Sequence, residues 1–495
     1  MIKQNFYSEL SEAPAIGRQQ LLQIIVVSLG VFLSSLDVSL NVALPEISDH
    51  FGSSPETTYL MIIFYLGTTV GLQLSIGRAG DIYGLRKMFL LGLITYSLAM
   101  IAIGLSQSIE FAIAFRVLQA VGNSALLTIA PALITGLVHS DFRGRALGIM
   151  AGVGSAGMIG GTLLSGVALQ YFPWNWIFLG RLPICLLAIV GFCFFIRESR
   201  QDPSSFNFLG RTFDICSAIL VFVTFASFVF FLKIATVRGV GSTESIFIFV
   251  TSLVFGVLFF RRQKTVLNPI LDLNVVKNGA IIGGFFSNLF IYMGSFVNLF
   301  ILPYYAGQLL QTSSFVLGVL LFLNAVSVSI FSPIGGYLSD RLGAGIIAIF
   351  GMVITGLALL SYLFLSADSG SGEIALRMVI VGIGIGLFQS SNLSLVMGST
   401  NQDSLGSGGA ISSMSRNLGA VTAVIILGWL FSYLYASGSP EVEILKASST
   451  AGSISSFMNA FHTAYFVAVV IIGLGFIASL VAWASFRNFE SEVAA

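Results

Sequence analysis

Charge is what this sequence has least of. Only 9% of its 495 residues are Asp, Glu, Lys or Arg, against roughly a quarter in a soluble domain. A soluble chain of this length needs a polar surface over two or three domains, and this composition cannot supply one. Cysteine and histidine are nearly absent, at three residues each. Cys185, Cys193 and Cys216 sit in apolar stretches, which argues against a disulfide framework. His50, His139 and His462 are too far apart to match zinc-ligand spacing, so no metal is expected. A net charge of +1 gives no sign of nucleic acid as a partner. No Lys-Ser or Lys-Thr follows a glycine-rich turn between a strand and a helix, so ATP hydrolysis is not expected and no cofactor is implied. No paired-carboxylate or His–Asp cluster stands in the longer loops. A polytopic membrane enzyme, the remote alternative, would therefore lack convergent groups, and no catalytic residue is assigned. The first 20 residues hold no apolar core ending in a cleavage site, so no removable signal peptide is expected.

What is present is hydrophobicity in runs. Hydrophobic residues make up 56% of the chain. They form stretches of about 20 residues, long enough to cross a hydrocarbon core of ~30 Å as helix. Short basic clusters separate them: Arg78, Arg86 and Lys87; Arg143 and Arg145; Arg261, Arg262 and Lys264. The ~10-residue alternating segments of a membrane barrel are absent. The expected fold is an all-α polytopic membrane protein with 14 transmembrane helices. The spans fall near 21–44, 57–77, 88–106, 111–135, 145–171, 176–196, 213–235, 245–261, 279–305, 315–338, 346–366, 374–398, 407–436 and 461–486. With both termini cytoplasmic, sixteen of the 23 Lys and Arg residues lie in cytoplasmic segments and three outside: Lys233, Arg238 and Lys446. Arg116, Arg181, Arg377 and Arg416 lie within spans. That bias satisfies the positive-inside rule to the C-terminus. The expected location is the plasma (inner) membrane, with the lipid bilayer as surroundings.

An internal repeat organises the chain. Gly77-Arg-Ala-Gly-Asp81-Ile-Tyr-Gly84 after span two matches Gly336-Tyr-Leu-Ser-Asp340-Arg-Leu-Gly343 after span ten at its Gly, Asp and Gly. Arg116 opens span four as Arg377 opens span twelve. Two six-helix bundles, parallel pseudo-repeats, are therefore expected at 1–200 and 276–495, with a two-helix insertion at 201–275. Such repeats place a substrate site near the bilayer midplane between the bundles.

The same segments resemble a known family. Leu36-Asp37-Val-Ser-Leu-Asn41-Val-Ala-Leu-Pro45, the loop Gly77 to Lys87, Arg116-Val-Leu-Gln119-Ala-Val-Gly122, Trp174-Asn-Trp176-Ile-Phe178 through Pro183, and Arg416-Asn-Leu-Gly419 occur in order. Together they resemble the major facilitator superfamily and, within it, the fourteen-helix drug:proton antiporters. The resemblance implies a secondary transporter working by alternating access, with proton-coupled efflux of lipophilic or amphipathic small molecules. Small-molecule substrates and protons would be its partners. Uptake or metabolite export on the same fold is the alternative, since fold does not set direction. Three departures stand out. The helix-five motif Gly152, Gly157, Gly160, Gly161 lacks the family's central Gly-Pro. Arg181 occupies a usual Asn position, and Ile82 and Leu85 replace basic residues of the loop.

The chemistry follows from the buried polar residues. Asp37 is the only acid well inside a span. Burial disfavours its charged form, which suits it to take up and release a proton. Asn41, four residues on, should share its helix face. Arg116, Gln119 and Asn123 recur as one stripe on span four. Counting residues puts Asp37 and Arg116 at similar depth, roughly 10 Å below the outer surface, so the two form the expected proton-coupling pair. Gly77, Asp81, Gly84 and Arg86 form an expected conformational latch, with Asp81 capping span three or pairing with a cation across the bundles. Asp340 marks a second latch, expected to be weaker because Ala344 and Gly345 stand where basic residues would be. Arg416, near mid-depth with no acid well inside a span of its half, has equal claims to substrate contact and anchoring. Tyr65, Gln73, Asn288, Tyr292, Asn324 and Gln389 are further candidates for lining the cavity. Arg181 and Arg377 are expected to snorkel outward. Four embedded arginines against one aspartate predict a preference for neutral, monocationic or anionic amphipaths over divalent cations.

Overall fold

A computed structural model describes residues 16–196, 212–272, 277–305, 314–367, 369–438 and 451–494. The expected segment boundaries near 200 and 275, and Lys446, lie outside the described residues. Among those described there is helix and no strand. Thirteen helical stretches are long and apolar enough to cross a membrane. The remaining expected span, the ninth (279–305), is also helical, but it breaks at Phe296 into two shorter pieces.

The first half comprises α1 (Arg18–Ser35), a 3₁₀ turn (Leu36–Ser39) and α2 (Leu40–Phe51), which together make the first span. It continues with α3 (Pro55–Tyr83), α4 (Leu85–Gly104), α5 (Ile109–Leu137), α6 (Arg143–Tyr171), the short α7 (Trp176–Leu179) and α8 (Leu182–Phe195). The inserted pair is α9 (Ile215–Arg238) and α10 (Thr243–Gln263). The second half runs through α11 (Gly279–Ser295), α12 (Val297–Tyr304), α13 (Ser314–Leu342), α14 (Ala344–Ser361), α15 (Ser371–Gly398), α16 (Leu405–Gly438) and α17 (Ala451–Ala494).

Local chemistry sets several helix starts. Ser54, Ser108 and Ser242 each accept the N–H three residues on, which satisfies a donor the helix leaves orphaned. Gly84 and Gly343 turn the chain between α3–α4 and α13–α14 with φ of 98° and 95°. A side chain rarely adopts that region, so both copies of the repeat keep glycine there. These two turns lie on one side of the molecule, the turn face.

Helices at corresponding positions of the two expected halves pack alike. α4 lies on α5 as α14 lies on α15, α3 on α5 as α13 on α15, and α1 on α6 as α11 on α16. One apolar core draws on residues from Ile24 to Ile196, joined by Met397 and Leu405, and another on Ile291 to Ile472. The two halves meet along α6–α13 and α3–α16. α9 packs on α3 and also touches α16, where Val229 and Leu232 meet Val421. The structural span begins at Ile215 rather than near 213, which leaves Asp214 just outside it, where it ties the base of α9 to α10: Arg262 donates to it through Nε (2.8 Å) and Nη2 (3.0 Å). The Arg262 bonds, opposed in part by burial, bring the Asp214 carboxyl from 3.8 down to about 2. A carboxyl depressed in the fold contributes stability above its unfolded value and loses it as pH falls through the folded one. The stability difference between wild type and Asp214→Asn is therefore expected to hold constant from neutral pH down to about 4 and to vanish toward 2. Thermal unfolding across that range measures it, and a difference that changes near neutrality would contradict the assignment.

Glycine spacing on α6 sets which helix it faces. A Cβ at Gly148 would lie 2.6 Å from the Ser332 carbonyl oxygen of α13, and one at Gly152 2.8 Å from that of Ser329. Farther along, Gly157 and Gly161 face the first span instead: their Cβ positions fall 2.6 Å from Phe32 O and 2.7 Å from Leu36 O. Gly160 meets nothing closer than 3.5 Å, so it is not one of the close approaches. Helix five thus zips the halves near the turn face and packs on its own half beyond. Gly148→Leu is expected to pry α6 from α13 and raise maleimide labelling of Ser332→Cys, a site fully buried in the wild type. Unchanged labelling would count against this seam as the seal.

Candidate functional site

The first span lies over α6 and beside α5 and α8, and its 3₁₀ turn holds the one deeply placed acid. Tightening from about 3.6 to 3.0 residues per turn rotates the rest of the span about its axis. Asp37 is 9% exposed and accepts from four side chains. Arg181 Nη1 approaches Oδ1 at 2.6 Å, Gln119 Nε2 at 2.9 Å and the Tyr96 hydroxyl at 3.1 Å. The Tyr65 hydroxyl donates to Oδ2 at 2.5 Å. Arg116 Nη1 stands 3.7 Å away, donates to Gln119 Oε1, and stacks over the Tyr65 ring at 4.1 Å. One carboxylate therefore links the first, second, third, fourth and sixth spans.

Arg181 corrects the expectation that it snorkels outward. It is 6% exposed, and besides Asp37 it binds the Leu36 carbonyl (2.8 Å) and Ser39 Oγ. The physical reason is local. The sixth span is interrupted at Gly180–Arg181, so Arg181 leads into α8 and turns toward the 3₁₀ turn of the first span, where the Leu36 carbonyl accepts it as well. Asn41 is a second correction, because it is exposed while Asp37 is buried. Four residues advance roughly 40° past one helical turn in α-helix but 120° in 3₁₀ geometry, so the two no longer share a face. Asn123 accepts from Ser34 beside this cluster. Tyr96, Ser34 and Ser39 are site residues that the sequence does not single out. Nothing in their local pattern separates them from ordinary hydroxyls between helices.

At the turn face two aspartates reach across the halves. Asp81 accepts from the Gly406 N–H (2.7 Å), the Ser407 N–H (3.0 Å) and the Ser407 hydroxyl (2.6 Å). Its hydrogen-bond partners lie at the start of α16 rather than span three, with Arg78 within electrostatic reach. Asp340 accepts from the Gly144 N–H (2.7 Å) and the Arg145 N–H (3.0 Å) at the start of α6. Free N–H groups and the positive end of the helix dipole make both good carboxylate partners. Asp340 is not without a basic neighbour, although Ala344 and Gly345 follow its own turn. Its basic residue comes from the facing helix, with Arg145 Nε 3.4 Å from Asp340. Gly77 lies against Gly406 in this seam, while Gly84 and Arg86 stand at the following turn and the start of α4.

The remaining candidates separate by environment. Asn288 donates to the Ser412 carbonyl and Ser415 Oγ, and Asn324 to the Met378 carbonyl, so both are ties between helices. Gln73, one turn from Gly77, is fully enclosed and neither amide atom has a partner among the described residues. Tyr292 donates to Gln389 Oε1 at 2.7 Å, with Arg416 within electrostatic reach of the Tyr292 hydroxyl. Arg377 stays near its helix end on Glu373 and the Ser361 carbonyl. No cluster of three or more metal-ligating side chains occurs among the described residues.

Comparisons with known proteins bear on the fold and the family. The riboflavin transporter RibZ of Clostridioides difficile is 26% identical over 93% of this chain and 97% of its own. The multidrug efflux pump LfrA of Mycolicibacterium smegmatis is 26% identical over 88% of this chain and 85% of its own. The crystal structure of the human organic anion transporter MFSD10 superposes with a TM-score of 0.62, covering 92% of this chain and 99% of that one at 13% identity. Such a likeness speaks for the fold. The sequence profile described as Major Facilitator Superfamily matches residues 27–270 and 284–493. Nearly the whole described chain lies inside those limits, and this polytopic transporter belongs to the Major Facilitator Superfamily.

Proposed function

We propose that this transporter is a proton-coupled antiporter that exports lipophilic or amphipathic small molecules across the inner (plasma) membrane. Both termini and the turn face lie in the cytoplasm, as the Lys and Arg bias supports. The observation that carries the reading is the convergence of Arg181, Gln119, Tyr65 and Tyr96 on Asp37. A proton on Asp37 replaces an acceptor by a donor and breaks its match with these donors. Arg181 is left without its closest carboxylate, which loosens α8 from the first span. Proton binding and helix position are thereby linked, as alternating access requires. With the turn face zipped by Asp81 and Asp340, the described state is the one sealed toward the cytoplasm.

A second reading, proton-coupled uptake or metabolite export, is favoured by the missing Gly-Pro of helix five and by the relative named as a riboflavin transporter. Inverted membrane vesicles with imposed pH gradients of either sign separate the two. Export predicts that rhodamine 123 accumulates in inverted vesicles when their lumen is acid and leaves when the gradient collapses. Accumulation only under the opposite gradient would establish symport instead. Uptake of riboflavin without any of the dye would favour the metabolite reading.

A further inference from the structure

The geometry points to a carboxylate-recognition site built by Arg416, Gln389 and Tyr292 in the second half of the transporter. The inference deepens the transport reading, because it takes the space between the halves as the substrate path. Arg416 is only half-buried, and none of its contacts among the described residues is an ion pair. It lies one helical turn along α16 from Ser413, whose hydroxyl donates to the Leu127 carbonyl of α5 in the other half (2.7 Å). Arg416 therefore stands at the interface, next to the seam on the side away from the turn face. A guanidinium carries its charge at any physiological pH, and an uncompensated one held among apolar helices is costly.

The neighbours are arranged to donate. Tyr292 spends its hydroxyl hydrogen on Gln389 Oε1, which leaves the Gln389 amide hydrogens without a described acceptor. Asn288, one turn away on α11, is already committed to Ser412 and Ser415. Across the interface, Asp37 is occupied by Arg181 and approached by Arg116, so it does not serve as the counter-charge. A planar fork of donors beside a free amide, with no acid to answer it, matches a carboxylate better than an ammonium. The class of ligand is an amphipath bearing one carboxylate.

Two dyes that differ only at this group test the site. Rhodamine 110 carries a free benzoate and rhodamine 123 is its methyl ester. Fluorescence anisotropy with purified full-length protein in detergent should show rhodamine 110 binding about tenfold tighter or better, the usual worth of a charge-assisted hydrogen bond. Arg416→Gln should remove that preference, bringing the affinities for acid and ester together. Arg416→Lys should retain part of it, because the charge stays and the fork is lost. Equal affinities for acid and ester in the wild-type protein would overturn the assignment even if a variant failed to fold. Parallel loss of both dyes in Arg416→Gln, with the fold intact, would also overturn it. Binding is read here without a pH gradient, so a failure of gradient-driven transport would count against the antiport cycle and leave this site standing.

Discussion

Asp37→Asn is expected to reduce pH-driven uphill transport to the level of vesicles lacking the protein, while exchange down a substrate gradient and substrate binding stay measurable. Asn keeps the size of the side chain and one acceptor oxygen, so Arg181 and Gln119 still have a partner and the fold persists. It loses the ability to exchange a proton, and with it any link between the gradient and the position of the first span. The contrast between uphill transport and exchange is the informative measurement, because a variant that merely misfolds loses both. Uphill transport equal to wild type would show that Asp37 is structural and that protons enter elsewhere.

Arg181→Ala is expected to produce the largest loss of stability, because it takes the closest cation from a buried carboxylate. Breaking one side of a buried ion pair costs about 3–5 kcal/mol, and Arg116 at 3.7 Å holds the loss toward the lower end. The Leu36 carbonyl and Ser39 hydroxyl lose their donor at the same time. Thermal unfolding in detergent measures the effect. The double variant Asp37→Asn with Arg181→Gln should be more stable than the sum of the single effects predicts, as contacting residues are non-additive. Strict additivity would show that the two side chains do not depend on each other.

Much of this molecule is legible in the chain. Long apolar runs, the recurrence of Gly, Asp and Gly after spans two and ten, and the depth of Asp37 and Arg116 all come from composition and helix rise. The failures have physical causes. Nothing in Leu36-Asp-Val-Ser39 marks a 3₁₀ turn, since neither glycine nor proline stands there, so α-helical spacing puts Asn41 on the wrong face. By hydropathy Arg181 reads as the outer part of a continuous span, although Gly180 and Pro183 flank it and the family usually has Asn there. That substitution, a cation added near the one buried acid, is the available signal. The partners of Asp81 lie about 325 residues away, and local periodicity carries no information on contacts at that separation. Gly84 and Gly343 are legible as turns, but what the preceding aspartates hold is not.

The position of α9 makes the two flanks of the molecule mechanically unequal. On one flank, Gly71 brings α3 against Phe222 of α9, and Val229 and Leu232 of the same helix reach Val421 on α16. On the other, α6 meets α13 with no described helix laid over them, and Leu164 and Ile330 stay exposed. Rocking of the halves must drag a buried apolar contact sideways along the first flank, whereas on the second it opens a seam directly to lipid. In the export cycle proposed above, a hydrophobic solute dissolved in the bilayer would thus meet one side door rather than two. The α9–α10 pair, which carries none of the candidate chemistry, decides on which side that door is.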